Sequence, residues 1–299
     1  MRAIRYSEYG GPDVLTLVRD APEPTAGPGE VRVRVHATAV NPFDTKQRSG
    51  MMAAGKKLNA ATIPGLEASG VVDQVGEGVG DTSVGDAVFG LGSATYAEYA
   101  VLRVWAPKPE RTSFAEAAAL AVGGETALRV LGLLALEQGQ VLLVHGATGG
   151  VGQAIVSLGI AAGLRVIGTA SEANHDLLRA LGAEPVAYGD GLVPGVARLG
   201  HEVDGIVDAA GTQMTELLAI AGSPDRIVTI ANYAARDAGV RFSGGGGDAQ
   251  GALDRVAALA AEGKFAVHVA QTFDLTEAAA AHRLSESRRA TGKIVLTLT

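Results

Sequence analysis

The stretch that most constrains this chain lies at its middle. Val141–His145, a short apolar run, passes directly into Gly146-Ala147-Thr148-Gly149-Gly150-Val151-Gly152, and an apolar helical pattern follows at Ala154, Ile155, Leu158 and Ala161. A strand that turns through glycines straight into a helix leaves the first helical N–H groups facing whatever lies over the turn. Together with the helix dipole, these groups make an anion site. Glycine at the turn avoids a Cβ penalty, Gly149 and Gly150 let the backbone approach a phosphate, and Gly152 permits close helix–strand packing. The spacing is G-x-x-G-x-x-G instead of the usual G-x-G-x-x-G. In this context Gly146, Thr148, Gly149, Gly150, Val151 and Gly152 are predicted to bind the pyrophosphate of a dinucleotide; the alternative is a tight strand–helix turn with no ligand.

The surrounding pattern supports a strand–helix alternation. Strands are expected at Val141–His145, Leu164–Thr169, Pro185–Tyr188, Val203–Asp208 and Arg226–Ile230, with helices at 151–162, 172–182 and 212–221 between them. Such alternation predicts a doubly wound parallel sheet and places the chain in the α/β class. Before about residue 115 the pattern differs. Val31, Val33, Val35, Ala37 and Ala39 alternate with Arg32, Arg34, His36 and Thr38, which reads as a strand with one wet face. Further runs at Val71-Val72, Val84–Phe89 and Tyr96–Val101 are broken by Gly and Asp, as in a compact antiparallel barrel. Gly76-Glu77-Gly78-Val79-Gly80 imitates a nucleotide fingerprint, but its third glycine would fall at Asp81 and no helix follows, so it reads as a turn. The run Gly244–Gly247 is a break, after which one helix (about 251–263) and a closing strand at Gly292–Thr299 are expected.

The second strand of the alternating region ends at Thr169-Ala170-Ser171. A carboxylate is usual there where a ribose 2′-hydroxyl is held. Here the position is small and neutral, and Ser171, Asn174 and His175 supply donors, with Glu172 arguing the other way. NADPH is therefore expected over NADH. Tyr188 ends the next strand, either stacked near the adenine or packed at the sheet edge.

Charge and cysteine content exclude several function classes. With 25 basic and 32 acidic residues and no basic stripe, nucleic acid is not an expected partner. The absence of cysteine excludes disulfides, thiolate nucleophiles and cysteine-ligated metal sites. His201-Glu202-x-Asp204 fails as a zinc motif, because Gly205 stands where the second histidine would be. The N-terminus lacks a signal-like apolar core, and the most apolar stretches carry Glu116, Glu125 and Arg129, or end at Arg165. No membrane span and a cytoplasmic location are expected.

Several segments, taken in order, resemble the zinc-free branch of the medium-chain dehydrogenase/reductase superfamily, specifically its quinone oxidoreductase group. They are Asn41-Pro42-Phe43-Asp44 with Arg48-Ser49-Gly50, Gly65-Leu66-Glu67-Ala68-Ser69-Gly70, Val84-Gly85-Asp86-Ala87-Val88-Phe89-Gly90, Thr95-Tyr96-Ala97-Glu98-Tyr99 and the 145–152 turn. Ala281-His282-Arg283-Leu284 and Gly292-Lys293-Ile294-Val295-Leu296 complete the series. The resemblance covers nearly the whole chain. It implies a GroES-like β-barrel-type catalytic domain (1–116 and 264–299) split around a Rossmann NADP-binding domain (117–263). Zinc-dependent relatives read Gly-His-Glu where Gly65-Leu66-Glu67 stands, so no metal is expected and Glu67 reads as a structural carboxylate. The resemblance also places Thr126, Ala210 and Asn232 along the cofactor and brings Arg288 or Arg289 to the 2′-phosphate; for these arginines a solvated surface position is the alternative.

Without a Lewis acid, the acceptor must already be activated. A Tyr-x-x-x-Lys pair and a G-x-S-x-G elbow are both absent. The remaining economical reaction sends hydride to a quinone or to the β-carbon of an α,β-unsaturated carbonyl, with the protein supplying position and a few hydrogen bonds. Asn41, Asp44 and Lys46 align with the family's substrate-facing segment. Lys46 reads as a proton donor or a solvated lysine, Asp44 as a catalytic group or a helix cap. Competing functions are a stand-alone enoyl reductase of polyketide or other secondary metabolism and a low-turnover NADPH-binding sensor. The resemblance also implies a homodimer formed through an edge strand, although the region after Ile230 is shorter than in many relatives.

Overall fold

The computed structural model describes residues 1–298. In chain order the first elements are β1 (Ala3–Arg5), β2 (Thr16–Val18), β3 (Val31–Val40), α1 (Pro42–Arg48), β4 (Glu67–Val75), β5 (Ala87–Ser93), β6 (Tyr99–Pro107), α2 (Phe114–Ala118) and α3 (Ala121–Leu134). An alternating series follows: β7 (Val141–His145), α4 (Gly150–Ala161), β8 (Arg165–Ala170), α5 (His175–Ala180), β9 (Glu184–Ala187), α6 (Leu192–Arg198) and β10 (Gly205–Asp208). The chain then forms α7 (Met214–Ala221), β11 (Ile227–Thr229), β12 (Arg241–Phe242), α8 (Ala249–Ala261), β13 (Val269–Asp274), α9 (Ala278–Glu286) and β14 (Lys293–Thr297).

The residues that pack together form two units. One comprises Met1–Val122, Leu253–Gly263 and Val267–Thr299; the other comprises Gly123–Ala252 and Lys264–Ala266. Two of the boundaries, 122/123 and 252/253, fall inside α3 and α8, and another lies at 263/264; the sequence places its boundaries at 116/117 and 263/264. A boundary within a continuous helix has no turn or compositional shift to mark it.

In the first unit the strand order is β13-β14-β3-β4-β5-β6, and β3 also pairs with β6, so four antiparallel strands close on themselves. Closure buries Val31, Val33 and Val35 of β3 against Ala68, Val72, Val88, Ala100 and Leu102, each large aliphatic side chain contributing about 1.5–3 kcal/mol. The face of β3 expected to be wet is covered in part, because His36 stacks on Phe114 and Thr38 is fully buried. The expected strand at Val84–Phe89 begins only at Ala87, and Val84 is exposed, since the tight turn at Gly85 keeps it out of the ladder. Gly76–Gly80 is a turn after β4.

The second unit is an all-parallel sheet in the order β12-β11-β10-β7-β8-β9, with its core at Leu143, Ile167, Ile206, Leu217 and Ile227. Strand β7 lies at the centre, and the chain winds outward to either side of it. This arrangement puts a crevice at the carboxyl ends of the strands. Two expectations for its helices need correction. The stretch 172–182 splits into a 3₁₀ turn (Glu172–Asn174) and α5, and helix 212–221 starts at Met214 after a left-handed Gln213.

Six elements have no counterpart in the sequence reading: β1, β2, α6, β12, β13 and α9. Helix α9 is rich in alanine and polar residues, with Leu284 its one large aliphatic side chain, so no apolar run marks it in the sequence. The stretch Phe114–Leu134 is, by length and composition, apolar enough to cross a membrane, but most of it is buried inside the fold.

Helix α4 seats on the turn before it with nothing between them. A Cβ built on Gly152 would lie 2.1 Å from the Gly146 carbonyl oxygen and 2.9 Å from Ala147 backbone atoms. Gly149 differs: a Cβ there would meet only the Gly146 oxygen, at 3.7 Å, and its φ of −73° suits any residue. Gly152→Ala is therefore expected to lose at least about 2 kcal/mol in urea denaturation. Gly149→Ala should stay within about 1 kcal/mol of the parent.

Candidate functional site

The predicted cofactor residues of the second unit gather at one edge of its sheet. Gly146, Ser171, Tyr188, Ala210 and Asn232 all follow the carboxyl ends of parallel strands β7 to β11. Above them the first turn of α4 presents Gly150, Val151 and Gly152 after the Gly149 cap, with Thr148 in the turn. Gly149 is glycine without a packing or dihedral reason inside the protein. The open turn leaves room for a phosphate to approach the first N–H groups of α4.

A hydrogen-bond network missed by the sequence reading shapes this edge. Thr169 Oγ1 accepts from the Gly146 N–H at 2.9 Å and lies 2.9 Å from His145 Nδ1, while His145 Nε2 is 3.0 Å from Thr212 Oγ1. Burial lowers the His145 pKa, which keeps the ring neutral at pH 7, while nearby Asp208 pulls the other way. Asp208 accepts from the Ala210 and Gly211 N–H groups at 3.0 and 2.7 Å and from the Thr229 hydroxyl at 2.7 Å. Thr229 Oγ1 accepts in turn from the Ala231 and Asn232 N–H groups. The signal was present in the sequence: β7, β10 and β11 are apolar runs that each end in one polar residue.

At the end of β8, Asn174 Nδ2 donates to Ser171 Oγ at 3.2 Å, and the buried Nε2 of His175 has no hydrogen-bond partner. Glu172 is exposed. Tyr188 lies just beyond β9 and is 56% exposed, so it is not packed into the sheet. Thr126, on α3, donates to Glu125 and accepts from Arg129, which is ion-paired to Glu125. Arg288 and Arg289 are exposed and belong to the first unit, where Arg288 adopts a left-handed φ of +56°.

The first unit holds a buried polar cluster. Asn41 precedes α1, and Asp44 Oδ2 accepts the Asn41 N–H at 2.8 Å, closing the helix start. The Asn41 side chain is fully engaged: Oδ1 accepts from Lys293 Nζ at 2.6 Å and Nδ2 donates to Glu67 Oε1 at 2.9 Å. Lys293 also donates to Glu67 Oε1 at 2.5 Å, and Glu67 Oε2 accepts from the Val122 N–H at 2.6 Å. Tyr96 donates to Asp44 Oδ2 at 3.4 Å, and its hydroxyl lies 3.2 Å from His282 Nε2. Burial pushes the Asp44 carboxyl up to about 7, the Asn41 N–H opposes it, and Glu67 adds to it. Burial takes His282 down to about 3, so its ring is neutral. Arg48 is buried and ion-paired to Glu286. Lys46 stands apart: it is half-buried, and among the described residues its ammonium has no hydrogen-bond or ion-pair partner.

Residues 27–110 match the alcohol dehydrogenase GroES-like domain, and residues 181–296 match a zinc-binding dehydrogenase domain. The chain is similar to quinone oxidoreductase of Rattus norvegicus, 40% identical over 192 residues, which cover 62% of this chain and 58% of the relative. The match thus spans little more than half the length of that curated relative. Among solved structures, the quinone oxidoreductase from Coxiella burnetii is similar over 100% of this chain and 99% of its own, with 30% identity and a TM-score of 0.87. A mycobacterial protein solved in complex with NADPH is similar over the full length of both chains, at 26% identity and a TM-score of 0.85. The zinc in the second domain's name does not fit the donors here. The chain has no cysteine, and among the described residues no group of three or more His, Asp or Glu side chains is placed to hold a metal.

Two variants test the buried cluster. Asp44 keeps its proton when folded well above its unfolded range, so the stability it confers is complete below about pH 4 and is lost as pH rises to about 7. Asp44→Asn keeps an acceptor for the Asn41 N–H. Its stability relative to the parent should therefore grow between pH 4 and 7, by up to about 4 kcal/mol, in urea midpoints measured across that range. Lys293→Met strands a buried carboxylate and should cost about 3–5 kcal/mol; adding Glu67→Gln should restore part of the loss.

Proposed function

Because the chain belongs to the medium-chain dehydrogenase/reductase family, in its quinone oxidoreductase-like branch, we propose that it transfers hydride from NADPH to a quinone or an α,β-unsaturated carbonyl without zinc. The observation that carries this reading is the carboxyl edge of the parallel sheet. There an open glycine turn meets a strand end with hydroxyl, amide and imidazole donors and no carboxylate in line.

When bound, NADPH supplies the hydride, and a proton completes the hydroquinone or the saturated carbonyl. The N–H groups at the start of α4 would hold the pyrophosphate. Ser171, Asn174 and His175 would hold the 2′-phosphate, for which the unpartnered His175 Nε2 is suited. The loops carrying Ala210 and Asn232 are held in shape by Asp208 and Thr229, so little reorganisation is needed when a ligand arrives. On the acceptor side Lys46 is the donor with a free ammonium. Asn41 and Asp44, being buried and engaged, act by fixing the start of the helix that carries it. Positioning supplies most of the rate and no single acid–base group dominates.

Titration should show NADPH binding at least tenfold tighter than NADH, about 1.4 kcal/mol. His175→Ala should erase most of this preference. Gly149→Ala, although folded, should weaken NADPH at least tenfold by narrowing the phosphate approach. Lys46→Ala should lower kcat by less than about 100-fold with a quinone and by more with an enone, whose enolate must be protonated. Equal affinity for the two nucleotides would overturn the cofactor assignment. Absence of NADPH oxidation across a panel of quinones and enones would overturn the activity.

A further inference from the structure

A groove in the first unit stands outside this machinery. It is an open depression of about 490 Å³ between the segment after α1 and Tyr9, lined by Tyr9, Met52, Lys56, Lys57, Leu58 and Asn59 among others. That volume suits a small ligand. Its wall is built by local geometry. Gly50, at φ +79°, lies flat on Tyr9, whose ring would be 2.9 Å from a Cβ there. Ala54 and Gly55 are both left-handed, and the Ala53 N–H to Gly50 and Lys56 N–H to Ala53 bonds turn the segment back over the groove.

The chemistry of the lining is uneven. In a chain of net charge −7, no acidic residue lines this groove. Lys56 and Lys57 are exposed, and among the described residues neither ammonium has a hydrogen-bond or ion-pair partner. Apolar side chains share the lining with them: Met52, 55% exposed, with Tyr9 and Leu58. Exposed apolar patches of this kind mark binding sites, and methionine adapts to ligands of differing shape.

We propose that this groove binds a single-chain anionic amphiphile, with the hydrocarbon on Tyr9, Met52 and Leu58 and a carboxylate or phosphate ester held by Lys56 and Lys57. Charge complementarity chooses the occupant: a neutral chain leaves both ammoniums without a counter-charge, and a cationic one is repelled.

Isothermal titration of the full chain with decanoate, decyl phosphate and decanol tests this, each below its micellar range. At least one anion should bind in a one-to-one complex at least tenfold tighter than decanol, and the tighter of the two identifies the headgroup. Added salt should weaken the anions and leave decanol unchanged. Lys56→Ala with Lys57→Ala should weaken the anions at least tenfold, while Leu58→Asp should weaken all three probes. NADPH titration of each variant reports an intact second unit, so loss of the groove is separable from loss of the proposed activity. Decanol binding as tightly as both anions, an unaffected double lysine variant, or adsorption only to phosphatidylglycerol vesicles would each overturn the proposal.

Discussion

The second unit depends on a contact with no side chain in it. Helix α4 rests on the carbonyl of Gly146 so closely that a single methyl at Gly152 has no room. This approach fixes where the helix begins and therefore where its unpaired N–H groups stand relative to the strand ends. The Thr169 hydroxyl then pins the Gly146 N–H from the neighbouring strand, and His145 continues the chain of contacts to Thr212. Two glycines three residues apart serve different ends. Gly152 is required by the protein's own packing, while a Cβ at Gly149 would meet only the Gly146 oxygen, at 3.7 Å.

The first unit keeps charges inside only where each is matched. Asn41, Glu67 and Lys293 come from a strand exit, a barrel strand and the C-terminal strand, and each polar atom among them is spent on another or on the Val122 N–H. Asp44, a few residues away, lacks a cation of its own. It keeps its proton near neutrality instead, which is the usual resolution for a buried carboxylate with only neutral donors. The same cluster thus contains both answers to burying an acid: a paired ammonium and a retained proton.

How much of this was legible follows from sequence separation. The parallel sheet was readable because each strand and the glycine turn carry local signals within a few residues. The 76–80 glycines were separable from the true turn for the same reason, since no helix pattern follows them. Helix α9 and strand β13 were not, because they carry few large apolar residues of their own and pack on partners from the far N-terminus, Leu15 and Tyr6 among them. The Glu67–Lys293 pair spans 226 residues. Sequence alone shows a family-like Glu and a family-like Lys, and only the antiparallel pairing of β14 with β3 and of β3 with β4 brings them together. Asn41 was read as facing substrate, while the fold turns both ends of its amide inward.

The electrostatics of the sheet edge explain how an acidic chain can present a site for a phosphate-bearing ligand. Net charge alone would repel one. Locally the argument reverses, because the one carboxylate at the strand ends, Asp208, is saturated by two N–H groups and a hydroxyl. Its charge is turned back into the loops that it shapes. The remaining groups at that edge are neutral or donate: hydroxyls of Ser171, Thr169 and Thr229, the uncharged His145 ring, and the free N–H groups of α4. Glu172 is exposed, where screening reduces its charge within about 10 Å, while half-buried Glu216 acts on the His145 ring beside Asp208. The proposed affinity for an anion here would arise from where donors stand and where negative charge has been spent, so it does not require a basic protein.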